Sequence, residues 1–254
     1  MTAVMPLFAP LYTVGSERAE VRWLSIVYET DPARLDEVLP RPLTLSDRAE
    51  VIVWGADFVR AKFQGESGTR ELPRYTQGGI AVRARHLGEE VAYPLVSYIT
   101  GPNHGFTGRE LFGLPKKQAR AVELTEQDDE VTMSITTAGD IEIVRAIGRI
   151  GATLPAQELV PSWFGRQRTV KLIPSATGTG YDVRQLTAVP FTFDEQRDVR
   201  AVDAELALTH APADPVAMLP CLRVQHAAIG DMLLGVGYGR YLGEPETLPV
   251  WGRL

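Results

Sequence analysis

Lys116 and Lys117 stand side by side in the run Gly108-Arg109-Glu110-Leu111-Phe112-Gly113-Leu114-Pro115-Lys116-Lys117, in a chain that holds four lysines against 22 arginines. Where arginine supplies nearly all the positive charge, a lysine pair points to amine chemistry. Arginine stays protonated at any working pH, whereas lysine loses its proton when buried or crowded by another cation and then attacks carbonyl carbon. An unperturbed lysine, with a pKa of about 10.4, is neutral in only about one molecule in several thousand at pH 7, so its surroundings must supply the shift. The neutral amine condenses with a ketone to give an iminium ion, an electron sink that needs no cofactor. With a 3-oxo acid the sink favours loss of carbon dioxide; with a 2-oxo acid such as pyruvate it favours an enamine that can add to an aldehyde. The ordinary alternative for such a pair is a solvated turn bearing two surface charges.

The flanking residues must position the pair. Phe106, Leu111, Phe112 and Leu114 form an apolar patch, Gly113 can end a short helical turn in a left-handed conformation, and Pro115 stops the helix. The lysines then begin an extended segment. On a strand their side chains point to opposite faces, so only one can reach an interior. Strand patterning dominates the rest of the chain: 21–28, 50–63, 78–87, 91–100, 119–124, 131–138, 140–150, 169–173, 181–189 and 200–208 are rich in β-branched and aromatic residues with partial period-two alternation. Helices are few. Residues 31–39 start with Asp31 as N-cap and Pro32 at the first helical position, and 215–218 can form a short turn. The expected fold is therefore mainly β within the α+β class, a single domain over residues 1–254 in the form of a barrel, cone or sandwich.

A chain of 254 residues with 44% apolar and 23% charged content is long enough for a substantial core. Its net charge of −6 and pI near 5.3 argue against a nucleic-acid binder, so the expected partner is a small molecule. A single cysteine, Cys221, excludes an internal disulfide and fits a reducing cytoplasm. Met1 to Leu11 is apolar but lacks a basic leader and a cleavage site, and no stretch is long and apolar enough to span a membrane. The expectation is a soluble, cytoplasmic protein. His86, His104, His210 and His226 lack close metal-ligand spacing, so no metal is expected, and there is no Gly-x-Ser-x-Gly elbow or phosphate-cradling loop. Gly235, Gly237 and Gly239 lack the helix start and acidic partner of a dinucleotide site. Arg83 and Arg85 share one strand face and could hold a carboxylate, though a solvated face is the expected reading.

The segment from Gly108 to Lys117 resembles the lysine motif of the acetoacetate decarboxylase superfamily, in which Gly-Arg-Glu is followed after a short apolar stretch by Pro-Lys-Lys. Upstream, Ile26-Val27-Tyr28-Glu29-Thr30-Asp31, with Leu35, Val38 and Leu39-Pro40-Arg41-Pro42-Leu43, resembles the family's N-terminal strand, helix and proline-flanked turn. Tyr75-Thr76-Gln77-Gly78 fits more loosely. The family is itself the standing example of a lysine activated by a neighbouring cation. The resemblance implies an antiparallel closed barrel or cone, a homo-oligomer without a cofactor, Lys116 as the nucleophile and Lys117 as its perturbing neighbour.

The chain departs from acetoacetate decarboxylase proper at three positions. A gapless alignment on Ile26-Val27-Tyr28 puts Val21 where the family has an arginine and Val53 where it has a pocket glutamate, and Gln77 takes the place of a second glutamate. Arg22, one residue away from Val21, would turn to the opposite strand face. With neutral groups at all three, the chain resembles the divergent members that keep the lysine but condense and dehydrate pyruvate-like 2-oxo acids with aldehydes. Gln77 can orient a carbonyl or water, while Glu110, Tyr75, Tyr238 and Tyr241 can move protons; by the divergent branch, a tyrosine near the C-terminus is implicated. Aldol condensation and dehydration is thus the leading expectation, decarboxylation of acetoacetate or another 3-oxo acid the second, and a noncatalytic small-molecule-binding barrel the third.

Overall fold

The structure is a computed structural model that describes residues 15–65, 68–101 and 104–248, with the backbone alone for 104–107. The apolar run Met1 to Leu11 and the side chain of Phe106 lie outside the described residues. In chain order the elements are β1 (Gly15–Glu29), α1 (Pro32–Glu37), β2 (Thr44–Leu45), β3 (Glu50–Gly65), β4 (Gly68–Leu72), β5 (Tyr75–His86), β6 (Glu89–Ile99), α2 (His104–Phe112), β7 (Lys116–Gln127), β8 (Glu130–Thr137), β9 (Glu142–Thr153), β10 (Arg166–Pro174), β11 (Tyr181–Leu208), β12 (Arg223–Val236) and β13 (Arg240–Gly243). No helix among the described residues is long and apolar enough to cross a membrane.

All the strands belong to one sheet, with pairing order β10-β6-β7-β8-β9-β11-β12-β1-β3-β5-β2. β5 also pairs with β6, which brings the path back upon itself, and β10 also pairs with β11. The expectation of a purely antiparallel sheet is corrected at two places. β6 runs parallel to β7, with Ser97 opposite Lys116 and Tyr98 opposite Lys117, and β6 meets β10 in parallel at Ala92 and Gln167. The physical reason is the crossover: the chain leaves β6, passes through α2 and returns to start β7 beside the end of β6, a path that a tight hairpin cannot make.

Side-chain alternation gives the sheet two buried faces. On β1, Ala19, Val21 and Trp23 pack into one cluster while Leu24, Ile26 and Tyr28 pack into another. On β3, Ile52, Trp54, Ala56 and Phe58 join the first cluster and Val51 and Val53 the second. Period two sorts the residues of each strand between these faces. The aromatic cluster contains Trp23, Trp54, Trp163 and Phe164, and it is against this cluster that a cavity opens.

Local signals operate as the sequence predicts. The Asp31 carboxylate accepts hydrogen bonds from the backbone N–H of Ala33 at 2.8 Å and of Arg34 at 3.4 Å, and Pro32 opens α1. The two strands expected over 181–189 and 200–208 run as one, β11, with register shifts around Arg197 and left-handed residues at Glu195 (φ 50°) and Asp198 (φ 51°). β12 was not anticipated from the pattern; its centre, Ala227 to Ile229, is buried on both faces and so shows no alternation.

Candidate functional site

The turn after α2 sets the lysines in place. Gly113 takes φ +69°, and the backbone N–H groups of Gly113 and Leu114 donate to the carbonyls of Arg109 (3.0 Å) and Gly108 (3.1 Å). A side chain at 113 would also strike the backbone of Lys171, 2.7 Å from an ideal Cβ. Pro115 then delivers the chain to β6, where Ser97 N–H donates to the Pro115 carbonyl at 3.0 Å, while the Arg109 guanidinium donates to the Lys116 carbonyl at 3.1 Å. The Lys116 side chain runs back over α2 across Gly108: an ideal Cβ on Gly108 would lie 2.6 Å from Lys116 Cε and 3.2 Å from Nζ. A residue with no side chain is what lets the amine pass.

Lys116 points into a cavity of about 230 Å³. The walls are aromatic: Trp23 stacks on Trp54 with centroids 4.6 Å apart and planes 7° from parallel, and Phe58 stacks on Tyr75 at 4.4 Å. Phe164, Phe191, Phe112 and Tyr238 complete much of the surface. Among the described residues that line the cavity, the charged ones are Glu17, Arg70 and Lys116. Lys116 Nζ donates to Gln77 Oε1 at 3.1 Å, an amide that is itself buried. Burial lowers the pKa of Lys116 by penalising its ammonium form, and the negative charge of Glu17 opposes that shift without cancelling it. Tyr75, buried beside it, donates to Glu17 Oε1 at 2.9 Å. Its phenol is held well above its ordinary pKa by burial first and by the Glu17 charge second, with the Gln77 hydrogen bond acting the other way. A chain of polar contacts therefore runs from Glu17 through Tyr75 and Gln77 to the amine.

Four residues singled out from the sequence meet at this cavity: Lys116, Gln77, Tyr75 and Tyr238. Tyr238 sits at the rim, half exposed, where its hydroxyl accepts from the backbone N–H of Gly15 at 2.8 Å and its ring faces Phe112 at 6.3 Å. The others are elsewhere. Lys117 projects to the opposite strand face, where its ammonium donates to the Ala213 carbonyl at 2.9 Å and forms a short ion pair with Asp214, whose carboxylate also takes the hydroxyl of buried Tyr98. Its charge is thus paired on the far face of β7, while burial is the first cause of the lowered pKa of Lys116. Val53 belongs to the core cluster with Ile26 and Tyr28, facing away from the cavity, and Trp54 occupies the cavity side. Val21 is buried beside Trp23 but does not line the cavity. Arg22 lies on the opposite face of β1 from Trp23, paired with Glu126 at 2.7 Å and Asp231 at 3.4 Å. On α2 the cavity takes Gly108, Leu111 and Phe112, spacing that leaves Glu110 on a different side of the helix. Tyr241 is exposed and accepts from Lys171 Nζ at 3.2 Å, outside the cavity. Arg83 and Arg85 are engaged by Glu50, Glu90 and Asp47 in a network of their own.

Sequence reasoning missed Glu17, Arg70 and Gly108. Glu17 lies near the start of β1 in an ordinary-looking run, Glu17-Arg18-Ala19-Glu20, and only its alternation with Ala19 and Trp23 hinted at an inward face. Arg70 reaches the site from the short β4, paired to β3 at Phe63, and it has no ion-pair partner among the described residues. The functional content of Gly108 was legible only in part: a glycine inside a helical run calls for a packing reason.

Comparison with known proteins gives a consistent set of likenesses. Residues 4–245 match the family model described as acetoacetate decarboxylase. The acetoacetate decarboxylase of Burkholderia ambifaria is 28% identical over 239 residues, covering 92% of each chain. The crystal structure of acetoacetate decarboxylase from Legionella pneumophila superposes with a TM-score of 0.81 at 24% identity, over 94% of this chain and 93% of that one. The enduracididine biosynthesis enzyme MppR, solved in complex with pyruvate, superposes with a TM-score of 0.73 at 14% identity, over 96% of this chain and 99% of that one. The two structural likenesses bear on the fold.

Proposed function

Because the chain belongs to the acetoacetate decarboxylase family, we propose that it is a cofactor-independent carbon–carbon lyase in which Lys116 forms an imine with a small oxo acid. The leading reaction is condensation of a pyruvate-like 2-oxo acid with an aldehyde, followed by loss of water. The observation that carries this reading is the Lys116 amine in an apolar cavity, its pKa lowered by burial and its hydrogen bond made to the neutral amide of Gln77. A carboxylate at that position would hold the proton on the amine; an amide leaves it free to depart.

The remaining groups have roles that follow from their chemistry. Arg70 supplies the guanidinium that a 2-oxo acid's carboxylate needs, at the cavity wall and without a competing ion pair among the described residues. Gln77 orients the ketone oxygen or the water it becomes. The stacked indoles of Trp23 and Trp54, with Phe58 and Phe164, offer a flat apolar surface to the aldehyde. In the overall reaction the oxo acid's methyl carbon bonds to the aldehyde carbon, the aldehyde oxygen leaves as water, and a conjugated enone acid remains.

A second reading is favoured by the names of the curated relatives, which are acetoacetate decarboxylases at 28% identity. The same iminium would then lose carbon dioxide from a 3-oxo acid. One assay separates the two: pyruvate with an aromatic aldehyde is expected to yield a product absorbing in the near ultraviolet, with little carbon dioxide released from acetoacetate. Rapid release of carbon dioxide from acetoacetate, with no condensation across a panel of aldehydes, would replace the first reading by the second.

A further inference from the structure

We propose that Glu17 is the proton-exchanging residue of this site, supplying the carboxylate that Gln77 does not; the inference rests on the reading of Lys116 as the imine-forming amine. Glu17 is the one carboxylate among the described residues that line the cavity. The other candidates fail for chemical reasons. Lys116 is consumed in the imine, Arg70 does not release its proton, and the amides of Gln77 and Gln167 act neither as acids nor as bases near neutral pH. The Tyr75 phenol is held protonated by burial and by the Glu17 charge, and the Tyr238 hydroxyl is tied to Gly15 at the rim.

The fold fixes Glu17 in place. It sits on β1 between Val236 of β12 and Phe63 of β3, on the same face as Ala19 and Trp23. Oε1 accepts the Tyr75 hydroxyl at 2.9 Å, whereas Oε2 has no hydrogen bond among the described residues. Tyr75 thereby holds the carboxylate and leaves one oxygen for a substrate proton. Tyr75 is a positioning residue in this scheme.

The protons balance at each stage. In the iminium, Glu17 takes a proton from the carbon next to C=N; the C–H electrons form the enamine and the nitrogen becomes neutral. When the enamine carbon bonds to the aldehyde carbon, the aldehyde oxygen takes the proton from Glu17 and becomes a hydroxyl. A second removal from the same carbon protonates Glu17 again. That proton then leaves with the hydroxyl as water when the C–O bond breaks. In the decarboxylation reading the same acid would protonate the enamine left by carbon dioxide.

The test needs pyruvate alone. In deuterium oxide the wild-type protein is expected to exchange the pyruvate methyl protons, followed by proton NMR, and borohydride is expected to trap pyruvate on Lys116. Glu17→Gln should slow exchange by about 100-fold or more, while the trapped adduct still forms. Exchange at the wild-type rate in folded Glu17→Gln, with the adduct retained, would overturn the proposal. If that variant does not fold, Glu17→Asp, which withdraws the carboxylate by one methylene, is expected to slow exchange by at least about tenfold, and an unchanged rate would overturn it equally. Failure of the wild type to form any adduct is a different result, and it would remove Lys116 from the chemistry altogether.

Discussion

The two faces at the start of β7 treat adjacent lysines in opposite ways. On one face Lys116 enters an aromatic cavity, meets an amide at 3.1 Å and is pushed by burial toward the neutral amine. On the other, Lys117 meets Asp214, whose side chain is 6% exposed, and a backbone carbonyl at 2.9 Å. The same residue type, one position apart, has its ammonium disfavoured by burial on one side and neutralised as an ion pair on the other. The difference lies in where the carboxylates stand. Asp214 contacts its lysine directly, whereas Glu17 is bound to Tyr75 and acts on Lys116 through space. Burial without a directly contacting counter-ion is what lowers the pKa of Lys116.

The comparison breaks most completely at Lys116. Lys116→Met should reduce turnover to background, because no other amine lines the cavity among the described residues. It should also stabilise the fold. A lysine whose folded pKa is lowered carries a penalty that is full below that pKa and fades as pH rises toward the ordinary value of about 10.4. Thermal unfolding should therefore show the variant ahead of the wild type at low and neutral pH and level with it in strong alkali.

Gly108→Ala sharpens the contrast between structure and reactivity. The new methyl would sit 2.6 Å from Lys116 Cε, and the flexible lysine end would yield. Turnover is expected to fall about 100-fold through misplacement of the amine. Stability should hold or rise by up to about 1 kcal/mol, since alanine is the better helix former. Equal loss of both in kinetic and denaturation measurements would mean that Gly108 serves packing alone.

How much of this was legible follows from which signals are local. The Asp31 cap, the proline at the start of α1, the left-handed Gly113 and the strand content were readable because each depends on a few adjacent residues. Alternation also foresaw that only one lysine could reach the cavity. The site's wider composition was not readable, because Glu17, Trp23, Trp54, Arg70 and Phe164 converge from separate strands and turns. Val53 shows the limit of a gapless offset: one residue along β3 separates the core face from the cavity face, and Trp54 holds the latter. The parallel pairing of β6 with β7 depends on a crossover that no strand pattern reveals.

Smaller effects are expected at the residues that set the electrostatic contrast. Gln77→Glu would give Lys116 the kind of partner that Lys117 already has. The carboxylate favours the ammonium form and raises the amine's pKa, so imine trapping at pH 7 should fall by about tenfold and recover at higher pH. An unchanged pH profile would exclude Gln77 from control of the amine. Lys117→Ala should leave the trapping profile in place and instead cost about 2 kcal/mol in denaturant unfolding, less than a fully buried pair because Lys117 is 37% exposed. A marked shift of the profile to higher pH would restore Lys117 as an activating cation.

The most direct measurement is the site of covalent capture. Incubation with pyruvate and borohydride, followed by peptide mass analysis, is expected to place the reduced three-carbon acid on Lys116, with Lys62, Lys117 and Lys171 unmodified. The yield should rise with pH as the amine deprotonates, with a midpoint below that of an ordinary lysine. Folded protein that forms no adduct with 2-oxo or 3-oxo acids, or one that carries the label on Lys117, would contradict the account.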